Sequence, residues 1–253
     1  MAISIHELTE YLQNLLQPQL WQDYCPNGLQ VSGGDKAIKK LVSGVTACQE
    51  LLESAIAAKA DAIIVHHGYF WKGENPCIVG IKYQRLAALI KNNVHLLAYH
   101  LPLDGHVDFG NNVQLAKQLD FVVTNQFGSA NGPFGLVGQL QQKLSGLELS
   151  HLIASRLGRQ PLHIPGKNEP IQTIAWCTGA AQDFIDYAIS LKVDAYLTGE
   201  VSERTVHIAR ESGIHFYAAG HHATEKYGIQ ALGDHLAEKY NLIHRFINIE
   251  NPV

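Results

Sequence analysis

Short apolar runs alternate with amphipathic stretches along this chain, and the order of these patterns occurs twice. Residues 41–68 read "LVSGVTACQELLESAIAAKADAIIVHHG": an apolar run, a small-residue turn, an amphipathic stretch and a second apolar run after Asp61. Residues 173–200 read "TIAWCTGAAQDFIDYAISLKVDAYLTGE" and follow the same order, with Asp194 before the second run. A further helical pattern then leads into a third apolar run, "VHLLAY" or "IHFYAA". The periodicity predicts strand–helix–strand–helix–strand in each copy.

Strands that are connected through helices in this way are mainly parallel, and the helices cover the sheet. We therefore expect an α/β fold of two similar subdomains that arose by internal duplication, with mixed, mainly parallel sheets flanked by helices. The Gly-rich stretch "QFGSANGPFGLVGQL" separates the copies and predicts turns and the entry to a strand. The division is drawn near residue 125, with 1–125 as the first α/β half and 126–253 as the second.

Capping signals mark the expected helix starts. Ser4 and Glu7 have the spacing of a capping box and predict an N-terminal helix, and Thr46 and Gln49 resemble the same motif before the first repeat helix. A last helix is expected over roughly 223–239, followed by the strand-like "NLIHRFINI". The apolar positions of the N-terminal helix predict its buried face: Leu8, Tyr11, Leu12 and Leu15.

Composition narrows the class of protein. The 253 residues are 46% apolar with a net charge of −4, which suits one large or two modest domains and disfavours a general phosphate-backbone binder. The one dense basic stretch, Lys36, Lys39 and Lys40, is interpreted as a solvated loop. Four cysteines without a CxxC pair, no signal peptide and no apolar run of membrane-spanning length predict a cytoplasmic protein with reduced thiols and no membrane partner.

Histidines and carboxylates cluster at the ends of the predicted strands. His66 and His67 end one run, His100-x-x-x-Asp104 follows a second, and His221-x-x-x-Glu225 follows a third. Ligands of such sheets collect beyond the carboxyl ends of the strands. The pattern therefore predicts a two-metal site, and the imidazole-rich donors favour Zn, Fe, Mn or Ni over Ca or Mg.

The adjacent pair His66 and His67 suits two ions rather than one, because neighbouring strand residues point to opposite faces. The alternative is that one imidazole is buried and hydrogen-bonded while the other is exposed. His221 and Glu225 share one helix face and can reach the same ion, and a Glu carboxylate can also bridge two ions. His222 is the adjacent alternative ligand, although we expect its side chain to point away.

Two further residues are candidates for catalytic roles. Pro102 predicts that the segment around Asp104 is a loop, in which His100 either binds metal or orients Asp104. Glu200 takes the place of the His pair in the second copy. Its carboxylate either orients or deprotonates a metal-activated water, or it caps the helix that follows.

Five segments together resemble the GTP cyclohydrolase I type 2 homologue family, also called NIF-three-like proteins, in its short bacterial form without the inserted domain. They appear in the family's order: "DYCPNGLQV", "VHHG", "YHLPLD", "LTGE" and "GHHATE". The resemblance implies a pair of α/β subdomains and a toroidal homohexamer, a trimer of dimers, with metal sites facing its cavity. It also implies two divalent ions per subunit, with Glu225 as the bridging ligand and His100 and His222 not bound directly. The implied ligands are His66, His67, Asp104, His221 and Glu225.

Two classes of function follow from these patterns. The first is a metal-dependent hydrolase of a nucleotide-like substrate that opens a purine ring, as the family name implies, or cleaves a phosphoester; Glu200 and His100 are its candidate catalytic residues. The alternative is a non-enzymatic metal-binding ring that acts as a scaffold or interaction protein. Single-stranded nucleic acid passing through the ring is disfavoured by the acidic charge balance.

Overall fold

The computed structural model describes residues 2–129, 132–167 and 169–253. The helices are α1 Ile5–Leu16, α2 Gln49–Ala57, α3 Gly80–Lys91, α4 Leu101–Asp104, α5 Asn111–Leu119, α6 Gly146–Leu157, α7 Ile185–Ser190, α8 Glu203–Ser212 and α9 His221–Tyr240. The strands are β1 Gly28–Val31, β2 Lys40–Thr46, β3 Ala62–His67, β4 His95–Ala98, β5 Phe121–Ser129, β6 Gly132–Leu144, β7 Leu162–Ile164, β8 Ile171–Trp176, β9 Ala195–Thr198, β10 His215–Ala218 and β11 Ile243–Phe246. No helix among the described residues is long and apolar enough to cross a bilayer.

The chain forms two compact units, which do not follow the predicted division near residue 125. The first unit runs to Phe109 and takes up Ile229–Ile249, and the second contains Gly110–Gly228 and Glu250–Val253. Two structural features explain why the observed boundary differs from the predicted one. Leu115 and Leu119 of α5 are buried in a core of the second unit, and β11 returns to pair in parallel with β2 in the first unit.

The first unit is built on a five-stranded sheet with the order β1-β4-β3-β2-β11. All neighbouring strands are parallel except β1, which is antiparallel to β4. Alternate residues of β3 enter different apolar clusters, Ala62 and Ile64 on one face and Ile63 and Val65 on the other. A strand that is buried on both faces reads as a continuous apolar run, and this accounts for "AIIV" before the two histidines.

The second unit contains a six-stranded sheet with the order β5-β6-β8-β9-β10-β7. Among its described residues only β8, β9 and β10 are mutually parallel, so the expected mainly parallel sheet is confirmed in the first unit and not in the second. The Gly-rich stretch contributes to the long antiparallel strands β5 and β6, so the expected strand entry is present. Residues 130 and 131, within the stretch predicted to form turns, lie outside the described residues.

Local signals predicted some helix starts and missed others. The Ser4–Glu7 capping box of α1 is confirmed, and Leu8 and Leu12 are fully buried. The expected capping box at Thr46 is wrong, because Thr46 is the last residue of β2 and α2 begins after Cys48 without a side-chain cap.

The segment that carries Asp104 is a single helical turn, α4, and not the predicted loop. Pro102 lies in the first turn of α4, where the missing N–H has no helical partner to lose, so the proline is compatible with this short helix. Gly105 follows as the C-cap. The turn places Asp104 at the end of α4, shortly after β4.

Candidate metal centre

The first cluster of metal-ligating side chains lies in the first unit, beyond the carboxyl ends of β3 and β4. One ring nitrogen from each of His66, His67 and His100 lies within 4.8 Å of the others. His66 is fully buried, and the other two imidazoles are partly exposed. The strand ends thus bring His100 to a pair of histidines that lies more than 30 positions earlier in the sequence.

His66 is held in one orientation by its backbone neighbour. Its Nδ1 lies 3.0 Å from the carbonyl oxygen of Tyr99, and a carbonyl only accepts, so Nδ1 carries the proton. The opposite nitrogen, Nε2, lies 3.5 Å from Oδ1 of Asp104. A metal-binding histidine commonly donates its other N–H to a backbone carbonyl in this way. His66 Nε2 and the Asp104 carboxylate are therefore neighbours, placed so that one ion could contact both.

His67 lies beside His66 rather than across the strand from it. The two ring centroids are 4.5 Å apart at an interplanar angle of 45°. Strand alternation predicts that the two side chains point to opposite faces, but at the end of β3 their rings lie next to each other. Its Nδ1 lies 3.1 Å from Oγ1 of Thr46, the hydroxyl that does not cap α2.

His100 is held by a carboxylate that the sequence did not identify. Its Nδ1 lies 2.7 Å from Oδ1 of Asp23, whose Oδ2 accepts from the backbone N–H of Leu101 at 3.0 Å and from Asn27 at 2.8 Å. Asn27 in turn accepts from the backbone N–H of His100 at 2.7 Å. Burial raises the pKa of Asp23, but hydrogen bonds from His100, Asn27 and Tyr24 outweigh it and lower the pKa overall.

Cys25 lies close to the same pair, since its sulfur is within 4.8 Å of ligand atoms of Asp23 and His100. Burial, followed by the nearby charge of Asp23, raises the pKa of the Cys25 thiol to about 12. The residue is therefore a protonated thiol at neutral pH, which disfavours a role as a nucleophile.

The second cluster lies in the second unit, where β9 and β10 end and α9 begins. His221 lies between two carboxylates, with Nδ1 2.6 Å from Oε1 of Glu200 and Nε2 3.0 Å from Oε2 of Glu225. Burial lowers the pKa of His221, but the hydrogen bonds and charges of Glu225 and Glu200 outweigh it and raise the pKa to about 9. The two carboxylates thus favour the protonated imidazole at neutral pH, and a metal ion at Nε2 would displace that proton.

The loop after β8 leaves space for the Glu225 carboxylate. Gly179 has φ +70°, and a Cβ at this position would overlap Oε1 of Glu225. The loop is fixed by buried hydroxyls: the N–H of Gly179 donates to Thr224 at 3.1 Å, and Thr198 donates to the carbonyl of Gly179 at 3.1 Å. The sequence marked this stretch only as a small-residue turn.

Each unit contains a separate group of the predicted metal-binding and catalytic residues. The first brings together His66, His67, His100 and Asp104, and the second brings together His221, Glu225 and Glu200. Glu200 does not cap α8, because Ser202 is the N-cap and accepts from the N–H of Thr205. Imidazoles and carboxylates are donors that suit a divalent transition ion, so the residues present fit the expected metal.

Comparison with known proteins agrees with the resemblance seen in the motifs. A family model described as Duf34/NIF3 (NGG1p interacting factor 3) matches residues 3–252. The "GTP cyclohydrolase 1 type 2 homolog" of Pseudomonas aeruginosa is 53% identical over the whole of both chains. The protein of the same name from Escherichia coli K12 is 50% identical over 97% of this chain and 98% of its own length.

Solved structures share the fold. The structure titled "Structural genomics, protein ybgI, unknown function" superposes with a TM-score of 0.95 at 49% identity, covering 99% of this chain and 100% of that one. The protein TTHA1606 from Thermus thermophilus gives a TM-score of 0.87 at 30% identity, again covering 99% and 100%.

Proposed function

This chain belongs to the Duf34/NIF3 family, and we propose that it is a dinuclear metal-dependent hydrolase of a nucleotide-like substrate. The observation that carries the proposal is a matched pair of histidines. In both His66 and His221, Nδ1 is bound to an oxygen while Nε2 lies near a carboxylate, Asp104 or Glu225. This is the arrangement in which an imidazole is oriented for metal binding.

We propose that the ligands act as one set for two divalent ions. Catalytic zinc-type ions take three protein ligands and keep one position open, so neither cluster is large enough alone for two ions. A carboxylate shared by both ions would reduce the number of side chains needed, and the resemblance to the family implies this role for Glu225. The proposed ligands are His66, His67, Asp104, His221 and Glu225, and the metal is Zn, Fe, Mn or Ni.

The bound ions would supply Lewis acidity and lower the pKa of a water molecule at the centre. The protein's own contribution is to place proton carriers and to hold the ligands. Asp23 keeps the proton of His100 on Nδ1, so Nε2 is the atom that accepts a proton from the attacking water and returns it to the leaving group. Glu200 acts through His221, whose orientation it fixes at Nδ1.

The substrate class is a purine nucleotide. The support is the name of the relatives, GTP cyclohydrolase 1 type 2 homolog. Hydrolytic ring opening forms a carbon–oxygen bond, breaks a ring carbon–nitrogen bond and places a proton on that nitrogen. Phosphoester hydrolysis forms and breaks phosphorus–oxygen bonds and needs the same proton transfer. In this proposal His100 serves either reaction.

The test is turnover by protein loaded separately with Zn, Fe, Mn and Ni, with GTP and p-nitrophenyl phosphate as substrates. We expect activity in at least one metal form and its loss in His66→Ala and Glu225→Ala. His151→Ala, which removes an exposed imidazole, is the matched control and should keep full activity. Wild-type turnover in Glu225→Ala would contradict the proposal, and no turnover in any metal form would favour the non-enzymatic scaffold.

A further inference from the structure

Two aromatic side chains, Trp71 and Tyr24, border the first cluster and are called the aromatic strip below. Neither has a role in the chemistry described so far. The Trp71 ring centroid lies 5.1 Å from that of His100, at an interplanar angle of 85°, and 6.0 Å from that of His67. Tyr24 lies on the same imidazole, with its centroid 6.4 Å from His100. Tyr24 is 62% exposed, and Trp71 is partly exposed. The strip therefore presents aromatic surface to solvent beside the candidate ligands.

The backbone joins the two loops that carry these rings. The N–H of Lys72 donates to the carbonyl of Tyr24 at 2.6 Å, and the N–H of Glu74 donates to the carbonyl of Trp71 at 3.0 Å. The indole Nε1 donates to the carbonyl of Gly68 at 3.2 Å. Because its single donor is already used, the indole of Trp71 contributes an apolar face and no hydrogen-bond selectivity.

The residue before Trp71 is held in an unfavourable backbone conformation. Phe70 has φ +65°, a left-handed conformation that is unusual for a bulky residue. Its ring packs against the apolar cluster behind β3, with the Lys82 ammonium 5.2 Å from the ring centroid. Such strain persists only where the surroundings enforce it, and it concentrates at functional sites. Here the strained residue directly precedes Trp71, in the turn that places the indole next to His67 and His100.

We infer that Trp71 and Tyr24 bind the planar heteroaromatic ring of the substrate by stacking, which deepens the hydrolase proposed above and rests on it. Indole and phenol faces stack on any nucleobase, and the flanking imidazoles place that base beside His100. A ligand cation is the other common partner of such a surface. Divalent ions on His66 and His67 would repel it, so the ring is neutral or part of an anion.

The experiment measures equilibrium binding to metal-loaded protein, with guanosine as the probe and ribose 5-phosphate as a probe without a base. Trp71→Leu and Tyr24→Leu should each weaken guanosine binding about tenfold, and Trp71→Phe should retain most of it. Tyr83→Leu is the matched control, because Tyr83 is an aromatic residue of α3 with 53% exposure. Metal content should equal the wild-type value in every variant.

Three results would overturn the inference: no guanosine binding by the wild type, equal binding of both probes, or wild-type guanosine affinity in Tyr24→Leu. If Trp71→Leu also loses its metal, Tyr24→Leu still decides, since that side chain is largely exposed. Binding requires no turnover, so the outcome is separate from that of the hydrolase proposal. Stacking without catalysis would leave the inference standing and defeat only the hydrolase.

Discussion

A methyl group at Gly179 would overlap Oε1 of Glu225, while the backbone there is already in the left-handed region. Gly179→Ala should therefore displace the carboxylate and weaken metal binding by about tenfold or more, the range seen when the support of a ligand is lost. Metal affinity, measured by competition with a chromogenic chelator, checks this expectation.

Gly158 offers a control with nearly the same backbone. Its φ is +71°, against +70° at Gly179, but a Cβ at Gly158 meets nothing within 4 Å. Gly158→Ala should thus lower stability by about 1–2 kcal/mol from backbone strain alone and leave metal affinity unchanged. Equal metal affinities in the two variants would show that the space at Gly179 is irrelevant to Glu225.

Asp23 provides a second residue-scale prediction. Asp23→Asn removes the carboxylate that keeps the proton of His100 on Nδ1, while the amide remains similar in size. We expect kcat to fall about 100-fold, the usual size of a general acid–base contribution, with metal content unchanged. Loss of metal in this variant, or an unchanged kcat, would contradict the proposed role of His100 in proton transfer.

The sequence indicated the ligand types but not what holds them. His66, His100 and His221 stand out because imidazoles recur at strand ends. Asp23 does not, since it lies 77 residues from His100 and only the folded chain joins them. Trp71 does not stand out in the sequence either, because it meets His67 and His100 only in the folded chain. Thr46 was misassigned, because a hydroxyl three residues before Gln49 satisfies the capping pattern whether or not the bond forms.

At the scale of elements, one aspartate recurs at the start of a strand in each unit. The Asp61 carboxylate accepts from the backbone N–H groups of residues 39–40, at 2.9 Å each. The Asp194 carboxylate accepts from those of residues 172–173, at 3.0 and 2.9 Å. Each aspartate also donates its own N–H to the preceding parallel strand. We call each of these hydrogen-bonded aspartates a clamp. The match between the two clamps supports the internal duplication, which stays a prediction.

The two clamps predict a dependence of stability on pH. Burial raises the pKa of Asp61, but its ion pair with Lys36 and then the two backbone N–H groups outweigh burial and lower the pKa. Burial also raises the pKa of Asp194, and the hydrogen bonds from residues 172–173 outweigh it and lower the pKa. A lowered pKa gives stability that is present above the unfolded-state pKa and is lost as the pH falls through the folded-state pKa. Asp61→Asn and Asp194→Asn should each lower the free energy of unfolding by about 1–3 kcal/mol at pH 7, with a smaller loss near pH 3.

Urea unfolding at the two pH values measures this difference. Asp35→Asn, which changes an exposed aspartate of the first unit, is the matched control and should change stability little at either pH. A destabilisation of Asp61→Asn that is the same at pH 7 and pH 3 would show that its carboxylate charge does not matter.

Elements with a strong hydrophobic period were predictable, and those defined by distant partners were not. The strands β2, β3, β8 and β10 coincide with apolar runs, and α3 and α8 coincide with the predicted helical patterns. A strand entry was predicted in the Gly-rich stretch, but the long antiparallel pairing of β5 with β6 was not, because the glycines read locally as turns. The pairing of β11 with β2 joins segments about 200 residues apart, as the Ser43–His244 hydrogen bond shows, and no local signal reports it.

At the scale of the whole molecule, the homohexamer stays a prediction. Apolar side chains remain exposed along α3 and the segment before it, among them Ile78, Val79 and Ile81. Association between copies would cover such a surface. Light scattering after gel filtration should give the mass of six 27.9 kDa chains. A monomer at all protein concentrations would contradict the toroid and its inner cavity.

The most direct test of the central claim is anomalous diffraction at the zinc edge from crystals of zinc-loaded protein. We predict two peaks per chain, about 3.5–4 Å apart. One should lie about 2.0–2.1 Å from a nitrogen of His66 and the other at the same distance from a nitrogen of His67. Asp104 and His221 should complete the coordination, with Glu225 bound to both ions. A single peak, or zinc bound only at surface histidines, would contradict the account.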